Sequence, residues 1–541
     1  MRLARFQITG HTVLQDLDVE VRDHLVIIGA NDVGKTSILR LLNSLLGASV
    51  QQLYQVITAH DLRDADEPLV VQARLEGFDV DEAGQFPFAM TVADDEPNYL
   101  VIRLEARLPE GDAENVLIER FFPDSGTRRG PSRDQLLQLG WRYLPANRAN
   151  SADYMDGRNS AFRTMLDSVD VGEELADLGG LLDQFNDKLE ANAALVELRR
   201  EIAAHLSRSI PHTYTEDSLA IRTAADPAQE PLQDVTIFLK DGDTLHSLSE
   251  QSDGMRQLMA LTFFDLAQAK ANIVAVDEPE IHLHPSSQRT VASLFADSPK
   301  QRLIVTHSPY VVQRFEPKHV LVVDPDRRSR QIAAANFTAV EKEMLQWWSP
   351  QLLEGLTARK ILFVEGLADR IIIEAAARAV GLSFDRAGVS VFALDGADKF
   401  AHVLNIVGPH GFDLPICGIC DEDREASWAG RLGIRTQDLA SVGFFVARSD
   451  LEHEYVRAIG APTVAAALIA GGAAREQGIL QSTGATTLSD VTDEQLGTFL
   501  ASDDSRKVPA ARLIGPMLSD AHVGASGSLT ALLAQAQKVW Q

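Results

Sequence analysis

A glycine-rich segment between an apolar strand and a helix constrains the fold of this chain most strongly. The apolar run Leu25–Ile28 is followed by GANDVGKT, from Gly29 to Thr36, and then by the helical run Ser37–Leu46. This is the G-x-x-x-x-G-K-[ST] phosphate loop in the strand–loop–helix context that it requires. Its glycines let backbone N–H groups approach phosphate oxygens at the positive end of a helix. The segment predicts an α/β nucleotide-binding fold.

Positions within the phosphate loop predict separate roles. Lys35 is expected to contact the β- and γ-phosphates, and Thr36 to ligate Mg²⁺. Three strand-like segments farther on predict an antiparallel layer beside the loop: Leu69–Leu75, Tyr99–Leu108 and Asn115–Phe122. The predicted nucleotide-binding residues of the loop are Gly29, Asn31, Gly34, Lys35, Thr36 and Ser37.

Two acids end a second buried strand. Ile273–Val276 runs into Asp277 and Glu278, within AVDEPEIHLHP. Asp277 is expected to hold Mg²⁺ through water, and Glu278 to polarise the water that attacks the γ-phosphate. His282 and His284 leave a zinc site open, but ordinary positions in the loop after the strand are favoured.

Two further motifs complete a resemblance to ABC-type ATPases. QSDGMRQ, with Ser252 and Gly254, resembles their signature motif, and RLIVTHSP resembles the strand that ends at their switch histidine, here His307. All four motifs occur in the order of that family. The resemblance implies a dimer in which the signature of one subunit covers the ATP bound by another. The mostly helical segment Ser151–Ser209 fits a domain inserted in this head, and its apolar residues suit either a buried face or a dimer face.

Carboxylates also follow strand-like segments in the last third of the chain. Glu365 follows Ile361–Val364, and Asp369 lies one helical turn later. Asp421 and Asp423 end a later apolar run, where alternation is expected to place both on one strand face. The carboxyl ends of parallel strands form a common ligand crevice, and oxygen ligands suit Mg²⁺ or Mn²⁺. These residues predict a divalent-metal site.

VEGLAD and CDED at these positions resemble the TOPRIM domain of topoisomerases, primases and certain nucleases. With the ATPase motifs, the chain resembles the overcoming-lysogenization-defect (OLD) family over almost its full length. This implies metal-dependent DNA cleavage, often in anti-phage defence and, in Gabija-like systems, beside a helicase. Glu452 is preferred to Glu454 as a ligand, and a surface lysine is the alternative reading of Lys507. The family implies a catalytic role for Lys507 and metal roles for Glu365, Asp369, Asp421, Asp423 and Glu452.

The expected reaction is DNA phosphodiester hydrolysis with two metals, of which one activates water and the other stabilises the leaving oxygen. The ATPase head would gate this centre through dimer geometry, in a direction that the sequence leaves open. An alternative is a nucleotide-sensing scaffold that binds and releases a partner effector, with an inactive TOPRIM domain. A topoisomerase is disfavoured because nothing around Tyr455, the only tyrosine after Tyr310, indicates a nucleophile.

Composition narrows the class of protein. The net charge of −27 argues against a general basic coat for nucleic acid, although bound metals can reverse the local sign. Cys417 and Cys420, the only cysteines, exclude a disulfide scaffold, and their strand context favours two buried thiols over a redox pair. No run approaches the roughly 20 apolar residues of a membrane span, so a cytoplasmic protein is expected.

The predicted architecture is therefore α/β, with four segments. An ABC-type ATPase head is formed by residues 1–150 and 216–345, and a helical dimerisation domain is inserted at residues 151–215. A TOPRIM (Rossmann-like) nuclease domain follows at residues 346–541. ATP and Mg²⁺ or Mn²⁺ are the expected cofactors, and DNA, a second copy of the chain and a helicase or other defence protein are the expected partners.

Overall fold

The computed structural model divides the chain into two compact units. One contains Met1–Leu144, Ala271–Glu280 and Gln288–Gln541, and the other contains Pro145–Lys270 and Ile281–Ser287. The predicted boundaries near residues 150 and 345 lie outside the described residues. The structure describes residues 1–92, 97–111, 115–126, 128–146, 172, 174–209, 215–220, 223, 235, 238–241, 244–247, 251–267, 271–333, 349–396 and 399–538.

The first 144 residues supply an antiparallel layer and part of a parallel sheet. The strands are β1 (Arg2–Thr9), β2 (Leu17–Glu20), β3 (His24–Gly29), β4 (Leu69–Glu76), β5 (Met90–Thr91), β6 (Tyr99–Arg107), β7 (Leu117–Phe121) and β8 (Trp141–Leu144). The helices are α1 (Lys35–Leu46), α2 (Val50–Val56), α3 (Val80–Gly84) and α4 (Arg133–Gln138). The antiparallel sheet has the order β2-β1-β4-β6-β5, with β7 also paired to β6, which confirms the predicted layer.

The second unit contains a helical hairpin with exposed apolar residues. Its elements are α5 (Glu174–Ala191), α6 (Ala193–Ser209), the antiparallel pair β9 (Phe238–Asp241) and β10 (Thr244–Ser247), and α7 (Asp253–Ala267). On the hairpin, Leu181 is 62% exposed and Phe185 is 50% exposed. Leu178, Leu198 and Ile202 are exposed as well. Residues 151–171 of the predicted helical segment lie outside the described part.

A parallel sheet carries the nucleotide motifs. After residue 271 come β11 (Ile273–Asp277), α8 (Pro285–Ala296), β12 (Gln301–Val305), α9 (Pro309–Val312), β13 (Val320–Val323) and β14 (Ser329–Arg330). The sheet order is β14-β13-β3-β12-β11-β8, and every pair except β13–β14 is parallel. Every residue of β11 and β12 is buried, as expected for strands covered on both faces. The carboxyl ends of β3, β12 and β11 therefore lie side by side.

The carboxyl-terminal part begins with a helix and a second parallel sheet. Its strands are β15 (Lys360–Val364), β16 (Val389–Ala393), β17 (Ile416–Asp421) and β18 (Phe444–Ala447). Its helices are α10 (Pro350–Thr357), α11 (Leu367–Ala379), α12 (Phe384–Ala387), α13 (Phe400–Val407), α14 (Glu425–Leu432), α15 (Leu451–Ile459), α16 (Ala461–Ala470), α17 (Glu476–Thr483), α18 (Asp493–Ala501), α19 (Asp504–Ile514), α20 (Asp520–Ala525) and α21 (Gly527–Gln537). Across the described residues, no helix has the length and apolarity needed to cross a membrane.

This second sheet has the order β16-β15-β17-β18, and all its pairs are parallel. Parallel pairing is the arrangement expected for a Rossmann-like domain, because helices connect the strands. Asp421, at the end of β17, is in register with Ala447, at the end of β18. Cys417 and Cys420 are free and buried within β17, which confirms the prediction of two buried strand thiols. The sheet brings the ends of β15, β17 and β18 to one edge.

Helix α10 packs against both parallel sheets. It contacts β3, β13 and α9 of the ATPase part and β15 and β16 of the carboxyl-terminal part. Its apolar side chains Leu352, Leu353 and Leu356 are buried. A second link is made by Arg330, whose Nη1 donates to the carbonyl oxygen of Asp413 and to its Oδ2 at 3.4 Å. The two sheets are therefore joined by a shared helix and by an ion pair.

Candidate functional site

The phosphate loop lies between β3 and α1. Gly34 has a φ of 97°, and a Cβ there would lie 2.5 Å from Cδ2 of Leu14. A Cβ at Gly29 would lie 2.3 Å from the carbonyl oxygen of Val323. Both positions require glycine, which leaves the loop backbone accessible to a phosphate. The other predicted loop residues are Asn31, which is exposed, and Ser37, which is half-buried in the first turn of α1.

Lys35 and Thr36 connect the start of α1 with the loop and with β11. Lys35 is buried, and its Nζ donates to the carbonyl oxygen of Ala30 at 2.5 Å. Burial lowers the pKa of Lys35, and the charges of Glu278 and Asp277 oppose that shift. Thr36 Oγ1 donates to Oδ1 of Asp277 at 3.2 Å. The ammonium and the hydroxyl group thus lie beside the two acids at the end of β11.

The ends of β11 and β12 bring Glu278 and His307 together. Glu278 has a φ of 46°, and its N–H donates to the carbonyl oxygen of Val305 at 2.8 Å. Glu278 Oε1 is 3.5 Å from His307 Nε2. Burial and then the charge of Lys35 lower the pKa of His307, while Glu278 opposes the shift. A neutral imidazole beside a carboxylate can share hydrogen bonds with water or with a phosphate oxygen.

Glu280 belongs to this site but was not among the residues predicted to act there. Its Oε1 accepts hydrogen bonds from the backbone N–H groups of His307 at 2.6 Å and Ser308 at 3.2 Å. Burial raises the pKa of its carboxyl group, and the hydrogen bond from His307 opposes that shift. The acidic motif made Glu280 visible in the sequence, but its partners lie 27 residues later and become apparent only in the fold.

Ser252 and Gly254 lie at the start of α7, in the second unit. Ser252 Oγ accepts from the N–H of Met255 at 3.4 Å, as a helix-capping side chain does. Residues 248–250, which directly precede QSDGMRQ, lie outside the described part. His282 and His284 lie in the loop between β11 and α8, as favoured from the sequence. The expectation that the signature covers a partner's nucleotide stays a prediction.

At the second sheet, Glu365 and Asp421 connect two strand ends. Glu365 follows β15, and its Oε1 accepts from the N–H of Asp421 at 2.9 Å. Asp369 lies in the first turn of α11, and its Oδ2 accepts from the N–H of Gly366 at 2.9 Å. Burial, followed by the charges of Glu365 and Asp369, raises the pKa of Asp421 to about 9. The acids predicted from two separate segments are therefore close enough to repel one another.

Glu452 and Lys507 join this group from two further helices. Glu452 lies in α15 and is 2% exposed. Burial raises the pKa of Asp369 to about 7, and the charge of Glu452 contributes most to that shift after burial. Burial lowers the pKa of Lys507, but the nearby charges of Glu452, Asp421 and Asp369 outweigh it and raise that pKa overall. Lys507 lies in the first turn of α19, which begins at Asp504. The surface-lysine reading of Lys507 is therefore disfavoured, since the side chain faces the acidic group.

Asp423 does not share a strand face with Asp421, so that prediction was wrong. Strand β17 ends at Asp421, and Glu422–Arg424 forms a 3-10 turn, so Asp421 and Asp423 do not share a strand face. The Asp423 side chain is 71% exposed and pairs with Nε of Arg424 at 3.4 Å. Its charge still raises the pKa of Glu365, after the larger effect of burial. Asp423 thus lies at the solvent side of the acidic group.

Glu454 and Asp450 clarify the surroundings of Glu452. The Glu454 carboxylate accepts from the hydroxyl groups of Ser526 and Ser528 and from the N–H of Arg448. These contacts occupy both its oxygens, which supports the preference for Glu452. Asp450, which the sequence analysis did not assign, is another charge that raises the pKa of Asp421 and of Glu452. It also accepts from His453 N at 2.8 Å.

The acidic group fits a hard divalent cation by its donor chemistry. All of its ligand atoms would be carboxylate oxygens, which Mg²⁺ and Mn²⁺ prefer. The raised pKa values of Asp421 and Asp369 indicate buried negative charge that protons or cations must neutralise. Within the part of the chain that the structure describes, however, no three His, Cys, Asp or Glu side chains form a ready metal cage. The carboxylates therefore suit a divalent cation by their chemistry, but their side chains would have to move closer together to coordinate one.

Two family models match successive parts of the chain. A family model described as an AAA domain of the AbiEii toxin in a type IV TA system matches residues 25–313, which is more than half of the chain. A model of the TOPRIM domain of overcoming lysogenization defect protein-like proteins matches residues 356–423. The first range contains all four ATPase motifs, and the second contains Glu365, Asp369, Asp421 and Asp423.

Two named relatives and one solved structure are similar to parts of this chain. The OLD nuclease of Thermus scotoductus is 23% identical over 455 residues, covering 78% of this chain and 82% of that protein. Endonuclease GajA of Bacillus cereus is 21% identical over 398 residues, covering 69% and 67%. The solved C-terminal region of the Burkholderia pseudomallei OLD protein is 20% identical, with a TM-score of 0.26, and covers 33% of this chain and 97% of that one. The chain therefore belongs to the AAA-domain family of the first model, and its ATPase part is followed by an OLD-like TOPRIM domain.

Proposed function

We propose that the chain is an ATP-binding, metal-dependent endonuclease that nicks or cleaves duplex DNA, is gated by its ATPase head and acts in anti-phage defence. The observation that carries the proposal is the convergence of half-buried and buried carboxylates from two strand ends and two helices at one sheet edge. The nuclease names of the Thermus scotoductus and Bacillus cereus relatives support the same chemistry here. The converging residues are Glu365, Asp369, Asp421 and Glu452.

The residues that would hold Mg²⁺ or Mn²⁺ are Glu365, Asp369, Asp421, Asp423 and Glu452. Such cations, when bound, supply an activated water and neutralise the charge of the leaving oxygen. Lys507 keeps its positive charge because three carboxylates face it. Its ammonium group would bind the scissile phosphate or the leaving oxygen. The buried carboxylates would fix the orientation of the phosphate at the sheet edge.

ATP would bind at the phosphate loop. Lys35 would contact the β- and γ-phosphates, and Thr36 with Asp277 would hold Mg²⁺. Glu278 would take the proton of the attacking water, and His307 would contact the γ-phosphate. The observed 3.5 Å between Glu278 Oε1 and His307 Nε2 supports their acting on the same group.

Helix α10 offers a path by which the ATPase would gate the nuclease. A cavity of 530 Å³ beside this helix is lined by His307 of the ATPase part, by Leu353 of α10 and by Arg370 of α11. Arg370 directly follows Asp369 of the acidic group. A movement of the loop that carries His307 would therefore change the packing around the helix that positions a metal residue. The direction of the ATP effect is a matter for experiment.

The helical hairpin supports a dimer. Leu178, Leu181 and Phe185 recur at helical spacing on α5 and are exposed, and α6 adds exposed Leu198 and Ile202. A second copy of the chain would cover this apolar face. Ser252 and Gly254 would then complete the nucleotide site of the partner, as the ABC resemblance implies. A helicase or another defence protein would be a further partner.

Local positive charge would allow DNA to bind an acidic chain. Arg448 directly follows β18 and is exposed, and no described side chain forms an ion pair with it. It lines a cavity of 570 Å³ together with Arg457, Glu422 and Ser528. Arg448 and Lys507 would therefore place cations on the approach to the acidic group, where the DNA backbone would lie.

The test is cleavage of supercoiled plasmid by the purified full-length chain with Mg²⁺ or Mn²⁺. The expected result is nicking that EDTA abolishes and that Asp421→Asn lowers on the order of 100-fold or more, since loss of a ligand should cost at least as much as loss of a group that orients one. Asp520→Asn, which changes an exposed aspartate in the same part of the chain, should retain nicking. Lys35→Ala should lose ATP turnover while it retains metal-dependent nicking without nucleotide.

The same assay distinguishes the proposed nuclease from the main alternative. A chain that nicks no DNA with either metal, with or without ATP or a non-hydrolysable analogue, would be a nucleotide-sensing scaffold instead. Nicking that survives Asp421→Asn would place the active centre elsewhere.

A further inference from the structure

We propose that Glu280 is a positioning residue for ATP hydrolysis, which fixes the loop Thr306–Ser308 so that His307 faces Glu278. The inference rests on the proposed ATPase activity and adds to it a residue outside the four motif roles. We call Thr306–Ser308 the switch loop. Glu280 lies two residues after Glu278, so one short segment after β11 would carry both the group that activates water and the group that sets its neighbour.

The contacts of Glu280 with the switch loop are direct. Its Oε1 accepts from His307 N at 2.6 Å and from Ser308 N at 3.2 Å. Hydrogen bonds to an ionised acceptor are shorter and stronger than neutral ones, so these bonds restrict the loop backbone. The backbone N–H groups of His307 and Ser308 in the switch loop therefore both donate to one carboxylate.

The other contacts of the loop leave the orientation of His307 to Glu280. Ser308 Oγ donates to Oε1 of Gln288 at 2.6 Å and accepts from Val311 N at 3.3 Å, which anchors the exit of the loop into α9. At the entrance, Glu278 N bonds to Val305 O at 2.8 Å. Both ends are thus held from neighbouring elements, and the backbone N–H of His307 itself is held by Glu280.

The second oxygen of Glu280 separates positioning from a charge effect. Oε2 is buried and has no hydrogen-bond partner among the described residues. The switch loop therefore depends on a hydrogen-bond acceptor at the position of Oε1. A glutamine retains such an oxygen at the same distance, whereas an aspartate retains the charge but withdraws the oxygen by one methylene group. Positioning predicts that Gln is the better replacement, and a charge effect predicts that Asp is.

The experiment measures ATP turnover and nucleotide binding for the full chain and for Glu280→Asp, Glu280→Gln and Glu316→Ala, the last being an exposed acidic control. Glu280→Asp should lower kcat by about 10- to 100-fold, the scale typical of groups that orient catalytic side chains. Its KM for ATP and its affinity for a fluorescent ATP analogue should change less than about threefold, because the phosphate loop is untouched. Glu280→Gln should recover most of the lost kcat, and Glu316→Ala should match the natural chain.

A double-variant comparison tests whether Glu280 acts through His307. In a His307→Ala background, Glu280→Asp should add less than about a threefold further loss, since residues that share one pathway are not additive. Multiplicative losses, a Gln variant as defective as the Asp variant, or natural kcat in Glu280→Asp would each overturn the inference while leaving the ATPase in place. A natural chain without ATP turnover would instead remove the proposed function and the inference together.

Discussion

At the scale of residues, the acidic centre combines strong local repulsion with a few well-placed cations. Burial and mutual charge raise the pKa of Asp421 to about 9. Lys507 faces this group from α19, and Arg448 lies at the end of the adjacent strand. With a net charge of −27, the chain would repel DNA in general, so individual cations near the site carry most of the attraction.

The prediction at this scale concerns Arg448. Arg448→Ala should make the fall of log K for DNA binding with log salt concentration shallower by about 1 in slope, as expected when one phosphate contact is lost. Arg448→Lys should restore most of the slope, because it keeps the charge. The measurement is the anisotropy of a labelled duplex from about 50 to 200 mM salt, with Ca²⁺ in place of Mg²⁺. Arg475→Ala removes an exposed arginine elsewhere in this part and should keep the natural slope, and an equal slope in Arg448→Ala would refute the contact.

Residue roles were predictable where a motif fixed them along the chain. Lys35, Thr36 and Asp277 meet as expected because the strand–loop–helix pattern determines their order. The prediction for Asp423 failed because β17 ends at Asp421 and a 3-10 turn follows, so alternation along the strand does not reach Asp423. Glu280 could not be assigned because its partners His307 and Ser308 lie 27 and 28 residues later. Asp450 and Arg448 could not be assigned because only the fold places the end of β18 beside the end of β17.

At the scale of elements, α10 is the link that the sequence did not reveal. The segment was expected to belong to the TOPRIM domain alone, yet its buried leucines lie on a helix that packs against both sheets. The strands themselves were better predicted, because continuous apolar runs mark buried parallel strands and alternation marks the antiparallel layer. Contacts between sheets leave no comparable pattern.

The prediction at this scale is an uncoupling variant. Leu353→Ala should bring the ratio of plasmid nicking with ATP to nicking without ATP close to 1. The reason is that the substitution removes packing between the switch loop and α11. Loss of a buried leucine also costs about 2–5 kcal/mol of folding free energy. Leu468→Ala, in the core of the carboxyl-terminal part, provides the matched loss of stability. If both variants change the ATP response equally, α10 has no special role in coupling.

At the scale of the whole molecule, the proposed dimer would complete the nucleotide site. Leu181→Asp with Phe185→Asp should halve the particle mass in light scattering and lower ATP turnover about 10-fold or more, the scale of losing an orienting group. Both side chains are at least half exposed, so folding of the single chain should persist. Asp183→Ala, on the opposite side of α5, should leave the mass unchanged. A variant that keeps its full mass would rule out the hairpin as the dimer surface.

The pairing of β8 with β11 has a consequence for how such proteins diversify. Ile273 is in register with Trp141 on the neighbouring parallel strand, so the long excursion from residue 145 to residue 272 leaves and rejoins the sheet on adjacent strands. Closing a longer loop costs only about 0.6 kcal/mol for each doubling of its length. Evolution can therefore exchange, shorten or extend this excursion as a cassette, and selection on its surface can proceed without redesign of the catalytic scaffold.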